Sequence, residues 1–300
     1  MRDLVYKDFD SVIEQAKAKK RGVRVAVIEA GEEHTLDATT QAWRDGIIQP
    51  VLIGNREKIL SLLKEPALAE TVVHTDSPEE SAQIAVRLVR EGKIDFLMKG
   101  LAETSTVIRA ILNRETGIRT GRTISQVTLI AVSTYHKLLC VTDPAIVAQP
   151  TLEKKRDIVQ NAVDVLHKLG YERPKVAALC AIEKENPDMI ETVDAAALKR
   201  MADAGEITGC EFEGPISADI AFDAEAAKIK GYQGSVCGDP DLLLMPTLAA
   251  GNILCKAMRQ FAKSINVGVM VGATVPMVLV SRSTTTKSKY TSLAVVSEMV

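Results

Sequence analysis

The sequence predicts an α/β protein with mainly parallel sheets, and three observations carry that expectation. Short apolar runs alternate with longer helix-period segments almost from end to end. The apolar runs are brief and nearly unbroken, the form taken by strands covered on both faces. Capping residues and glycines punctuate the alternation where helices should begin and end. A chain of 300 residues is comfortable for two domains. A changeover near residues 140–150 divides it into 1–141 plus about 283–300 and about 142–282.

Val23 to Ile28 reads as the first buried strand and Pro50 to Gly54 as the second. Leu36, Ala38, Ala42, Trp43 and Ile47 form a helical face between them. Ser77-Pro78-Glu79-Glu80 starts a helix by mechanism: Ser77 caps, Pro78 suits the first helical position, and Glu80 stands where a capping box needs a carboxylate. Gly92 closes that helix, and Ile94 to Met98 is a strand running straight into Lys99-Gly100. A middle strand follows at Val127 to Val132, then a connector from Thr142 to Pro150. Thr151 caps a helix that Gly170 ends. The remaining pattern is strand Val176 to Ala181, helix Met189 to Ala204, strand Ile207 to Phe212 and helix Ala221 to Lys230. Strand Leu242 to Met245, helix Asn252 to Ser264, and strands Val267 to Val271 and Val275 to Val280 complete it.

Apolar residues make up 46% and charged residues 25%, the balance of an ordinary globular protein. The net charge of -2 provides no overall basic field for nucleic acid or an anionic membrane. Any anionic ligand must therefore be held locally. Five scattered cysteines without a C-x-x-C pair read as buried thiols in a reducing cytoplasm. The four histidines lack zinc-site spacing, so no metal site is expected. No signal-peptide segment and no membrane span are expected either.

Parallel α/β sheets bind ligands beyond the carboxyl ends of their strands, so the strand exits are the places to read. Lys99-Gly100 is followed by Thr104, Ser105, Thr106 and Arg109, which suits either an anion site at a helix start or plain capping. Glu213-Gly214-Pro215 leads to Ser217 and Asp219, a rigid turn with spare carboxylates. Ala250-Gly251-Asn252 permits a close approach, by ligand or by helix on sheet. Ser281 to Lys289 holds three cations and six hydroxyls with no acid, a local anion-binding composition, against which stands a solvated hydrophilic turn.

These exits carry a resemblance. The chain resembles the phosphate acetyltransferase and butyryltransferase family over nearly its full length. The strings are Asp95 to Gly100, Val141 to Ala145, Ala181 to Pro187, Thr192 to Ala196, Glu213-Gly214-Pro215 with Asp219, Asp241 to Pro246, Ala250 to Asn252, and Val271 through Ser281-Arg282. Glu183-Lys184-Glu185-Asn186-Pro187 and Thr192-Val193-Asp194-Ala195-Ala196 look closest to the butyryltransferase branch.

The resemblance implies a two-domain, three-layer fold like isocitrate and isopropylmalate dehydrogenases, with the active site in a cleft between domains. It implies a homodimer or larger homo-oligomer. The implied reaction is acyl-CoA plus phosphate giving acyl phosphate plus coenzyme A, with a short-chain acyl group and no metal or other bound cofactor. Arg282 and Arg109 match anion-binding arginines, and Ser281 matches a serine proposed to stabilise the transition state. Lys99, Gly100, Thr104, Ser105, Gly214, Pro215, Gly251, Asn252 and Lys287 would line the phosphate and coenzyme A sites. One departure concerns the base: relatives place an aspartate shortly after Ser-Arg, yet Ser281 to Ser297 contains no acid. Asp219 or Glu213 would serve instead, or phosphate itself accepts the proton. Two other readings are an oxidoreductase on the same general fold and a non-catalytic relative. The first needs a carboxylate cluster for a divalent metal, which no strand exit offers.

Overall fold

A computed structural model describes residues 6–279 and 284–300. The chain order is α1 (Phe9–Lys19), β1 (Val23–Ile28), α2 (Glu33–Arg44), β2 (Ile48–Gly54), α3 (Arg56–Leu62), β3 (Val72–His74), α4 (Pro78–Arg90), β4 (Phe96–Lys99) and α5 (Thr104–Ile111). Then come β5 (Ser125–Ala131), β6 (Leu139–Thr142), α6 (Leu152–Lys168), β7 (Lys175–Leu179), α7 (Ile190–Asp203), β8 (Glu211–Ile216), α8 (Ala218–Phe222) and α9 (Ala224–Ile229). The chain ends with β9 (Leu242–Leu244), α10 (Leu248–Phe261), β10 (Ile265–Val271), β11 (Met277–Val278) and α11 (Thr286–Ser297).

Packing groups these elements into two units. The terminal unit comprises Phe9–Arg122 and Val267–Val300, and the central unit Thr123–Asn266 with residues 6–8. The sequence reading set the changeover at 141/142 and 282/283 instead. Two antiparallel pairings account for the difference. β5 pairs with β6 (Val127↔Thr142), which keeps the 123–142 hairpin in the central unit. β10 pairs with β11 (Val269↔Val278), and β11 with β4, which keeps that hairpin in the terminal unit.

Among the described residues the terminal unit has strand order β3-β2-β1-β4-β11-β10, parallel except at the last pair. Val25, Ala26, Val27 and Ile28 are all fully buried, as expected of a strand covered by helices on both faces. The central unit has order β5-β6-β9-β7-β8, antiparallel only at its first pair. Its core gathers Ile130, Leu139, Val141, Ala177, Ile216 and Leu243. The expected α/β architecture with mainly parallel sheets is therefore what the chain adopts.

Several expectations shift. β8 occupies Glu211–Ile216 rather than 207–212, so Glu213, Gly214 and Pro215 lie within the strand and not beyond it. β8 is an edge strand, where a proline costs no ladder hydrogen bond. The helix expected at 221–230 is two helices, because the Asp223 carboxylate caps a new start by accepting from the Glu225 and Ala226 amides. β3 and β6 are too short and lightly patterned to stand out. α11 was not expected at all, and beyond its first turn every residue from Lys289 to Ser297 is buried, so it lacks the amphipathic stripe that marks a helix. Among the described residues no helix is long and apolar enough to cross a membrane.

Candidate active site

In the terminal unit, β1, β4 and β11 run parallel, so the chain leaves all three at one edge of the sheet. Gly100 is the reason two of those exits close on each other. Its amide donates to the Ile28 carbonyl at 2.8 Å, and the Leu101 amide donates to the Glu29 carbonyl at 2.9 Å. Glu29 itself is held at φ 57°, a left-handed conformation that costs a residue with a Cβ. Lys99 is buried, and its ammonium donates to the carbonyls of Gly100 (3.3 Å) and Ala102 (3.1 Å). The cation thus braces its own loop.

That loop delivers α5. Glu103 occupies the N-cap without a side-chain cap bond, and Thr104 and Ser105 open the helix, Ser105 exposed. Arg109 lies exposed in the last turn of α5. The cation-and-hydroxyl run divides in use. Thr285 caps α11 by accepting from the Ser288 amide. Lys289 is 2% exposed and binds the Glu32 carboxylate, with the Thr35 hydroxyl at 3.0 Å. Lys287 is exposed and lines a groove with Asp10, Glu14 and Lys17 of α1. Ser281 and Arg282 lie outside the described residues.

In the central unit the carboxyl ends of β6, β9, β7 and β8 share one edge. At the β6 exit Asp143 is buried, and its carboxylate accepts from the amides of Ala145 (2.9 Å), Ile146 (3.0 Å) and Val147 (2.9 Å). Burial nonetheless pushes its pKa up. α10 packs on this loop through Gly251, where an added Cβ would stand 3.1 Å from the Pro144 Cα. Asn252 donates its Nδ2–H to the Pro144 carbonyl at 3.1 Å. Gly251 and Asn252 therefore fasten a helix to a strand exit.

At the β7 and β8 exits four side chains converge. Ser217 Oγ stands 2.6 Å from Asp219 Oδ1 and also meets Glu183 Oε1, so its one proton serves two carboxylates. Lys230 Nζ reaches Glu183 Oε1 at 2.9 Å and Asp219 Oδ2 at 2.8 Å. Lys230 and Ser217 together hold the Asp219 carboxyl down at about 2. Glu213 shows the opposite shift: half-buried, it is pushed up by desolvation. Gly234 lies close against it, since an added Cβ there would stand 3.0 Å from the Glu213 Cδ. Gly214 fits because a Cβ there would stand 2.7 Å from the Ala178 Cβ, and the Tyr232 hydroxyl donates to the Pro215 carbonyl at 3.4 Å.

Glu183, Lys230, Asp143 and Glu32 are not singled out by the sequence, whereas Ser217 and Lys289 stand in strand exits already read for function. Glu183 and Asp143 sat inside quoted strings, and their charge at a strand exit was the available signal. Buried Lys155 pairs with Asp194 at 2.8 Å, and Thr192 accepts from the Asn186 amide at 2.8 Å. The second bond ties the Glu183–Pro187 loop at the β7 exit to α7, and the first ties α6 to α7 through the Thr192–Ala196 string.

The family profile described as Phosphate acetyl/butaryl transferase matches residues 57–297. The chain is 40% identical over 291 residues to the phosphate butyryltransferase of Clostridium acetobutylicum, covering 96% of each protein. It is 37% identical to the phosphate acetyltransferase of Thermotoga maritima, covering 95% of this chain and 97% of that one. The crystal structure of a branched-chain phosphotransacylase from Enterococcus faecalis V583 superposes with a TM-score of 0.81 at 30% identity, over 92% of this chain and 98% of that one. With its strand exits built as described and a family match running from residue 57 to 297, this chain belongs to the phosphate acetyl/butyryl transferase family.

Proposed function

We propose that the protein transfers a short-chain acyl group, butanoyl or similar, between coenzyme A and inorganic phosphate. The observation that carries this reading is 40% identity to a phosphate butyryltransferase with 96% of both chains covered. Phosphate must approach a thioester carbonyl, which calls for cations to orient the dianion and donors for the developing oxyanion. In this reading Arg282 orients phosphate, Ser281 donates to the oxyanion, and the α5 start with Thr104 and Ser105 receives the second anionic group. Arg109 is assigned to anion binding on the resemblance alone.

The proton is assigned differently from an aspartate-based scheme. Asp219, held anionic to about pH 2, is too weak a base for a thiol. Glu213 is half-buried, with Tyr232 and Gly234 close against it. We assign the thiol proton to the phosphoryl oxygens, with Asp219 fixing Lys230 and Ser217 at the β8 exit. The five free cysteines suit a reducing, cytoplasmic setting, and a homodimer or larger assembly is proposed on family grounds.

Purified protein incubated with butanoyl-CoA should release free thiol only when phosphate is present. Absence of phosphate-dependent release with acetyl-, propanoyl- and butanoyl-CoA alike would refute the assignment. Arg282→Gln should raise the phosphate requirement at least tenfold, and an unchanged phosphate dependence would remove Arg282 from the reaction.

A further inference from the structure

The terminal unit carries a second feature, on α4, to which the roles proposed above assign nothing. A groove of about 620 Å³ runs along α4 beside the segment that follows α5, lined by Glu80, Gln83, Ile84, Arg87, Arg90 and Thr116. Its size lies within the range of small-molecule sites. The lining is ordered. Positions 80 to 90 span about 15 Å of helix at 1.5 Å per residue. One end offers acceptors, the Glu80 carboxylate and the Gln83 amide. Between the two ends stands the half-buried Ile84. The other end holds two guanidinium groups one turn apart, and Thr116, in the segment after α5, also lines the groove.

The charges at the cationic end are weakly committed. Arg87 meets Glu91 only at 3.8 Å, with both side chains substantially exposed, whereas Glu91 has Lys93 at 2.7 Å. An exposed pair of that length is worth little, so a phosphate can take Arg87 at small cost. Both guanidinium groups offer the planar fork that matches phosphate oxygens bidentately. The neighbouring chain is basic as well, with Arg109, Arg114, Arg119 and Arg122 within fourteen residues and Glu115 as the one acid among them.

We propose that this groove binds a phosphorylated adenosine, with phosphates on Arg87 and Arg90 and the exocyclic amine toward Gln83 and Glu80. The polarity sets the orientation, because Glu80 would repel a phosphate and accept from an amine. The shared chemistry has two sources, the nucleotide end of coenzyme A or a free adenine nucleotide. The binding test does not depend on turnover, so it stands or falls apart from the acyl-transfer reading.

The probe is ADP, titrated calorimetrically into the full-length protein and into an Arg87→Ala/Arg90→Ala variant whose folding is checked by circular dichroism. Binding by the wild type, weakened at least tenfold in the variant, is the expected result. ADP that fails to bind, or binds both proteins equally, overturns the proposal. Glu80→Gln and Gln83→Ala should together weaken ADP at least threefold more than inorganic pyrophosphate, and equal losses would overturn the orientation. Steady-state kinetics then separate the sources. A KM for acyl-CoA raised in the arginine variant at unchanged kcat points to the substrate's own nucleotide end, and an unchanged KM points to a free nucleotide.

Discussion

Gly100 presses on Glu29 so closely that a methyl group at its α-carbon would stand 2.3 Å from the Glu29 carbonyl oxygen. The contact is with backbone, and the two exits are tied by the Gly100 amide donating to Ile28 and the Leu101 amide donating to Glu29. Nothing flexible can yield. Gly100→Ala should therefore cost about 1–3 kcal/mol as an overpacked site. A lower urea midpoint at unchanged slope would show it. A stability equal to wild type would mean that the two exits separate easily, contrary to the packing described.

Lys289 and Glu32 form the buried link between the starts of α11 and α2. Burial pushes Glu32 up, but Lys289, Thr35 and the His34 amide outweigh it, so the folded carboxyl is lowered. A lowered folded value means that the stabilisation is present above the unfolded value of about 4.5 and is lost as pH falls through the folded value. Glu32→Gln should remove this acid-side loss while costing about 3–5 kcal/mol at neutral pH, because it strands a buried ammonium. The Lys289→Met/Glu32→Gln double variant should recover much of that cost. Chemical denaturation at pH 4 and pH 7 reads both effects, and a double variant no more stable than Glu32→Gln would deny the coupling.

Asp143 orders the β6 exit by taking three backbone amides on one carboxylate. Asp143→Asn keeps the Oδ1 acceptor for Ala145 and Ile146 but turns an amide donor toward the Val147 N–H. The expected cost is about 1–3 kcal/mol, that of a buried donor left without an acceptor. Hydrogen exchange should accelerate at Val147 more than at Ala145. Uniform acceleration across 145–147 would mean that the loop opens as a whole.

How far this was legible in the sequence depends on which contacts decide each feature. β1, α6 and the Ser77 cap were readable because local pattern determines them, although Glu80 closes on the Asp76 amide rather than on Ser77. α11 was not readable, since burial of every residue from Lys289 to Ser297 erases helical periodicity. The run from Ser281 to Lys289 looked like one anion site, yet its far end caps and anchors α11. Lys99 looked like a ligand cation and is turned onto its own loop's carbonyls. Composition shows that charges are present; only the fold shows which are already spoken for. The Glu183–Ser217–Asp219–Lys230 cluster draws on residues 47 positions apart, and no local pattern reports that.

Asp219 separates two accounts of proton handling. A general base contributes about 10²–10⁴-fold and imposes its own limb on the pH–rate profile. Lys230 and Ser217 hold Asp219 down to about 2, so it stays ionised throughout the neutral range and offers no such limb. Asp219→Asn should therefore lower kcat for acyl phosphate plus coenzyme A less than tenfold, with the profile between pH 5 and 8 keeping its shape. Lys230 would lose one of its two carboxylates and keep Glu183 at 2.9 Å, so the cluster should loosen without dispersing. Lys230→Met tests the converse. Removing the ammonium releases Asp219 upward toward the ordinary aspartate range, where it remains ionised at neutral pH. That variant should also hold its activity near pH 7. A loss of 10³-fold or more in Asp219→Asn, together with disappearance of a titrating limb, would make Asp219 the base after all and return the thiol proton to the protein.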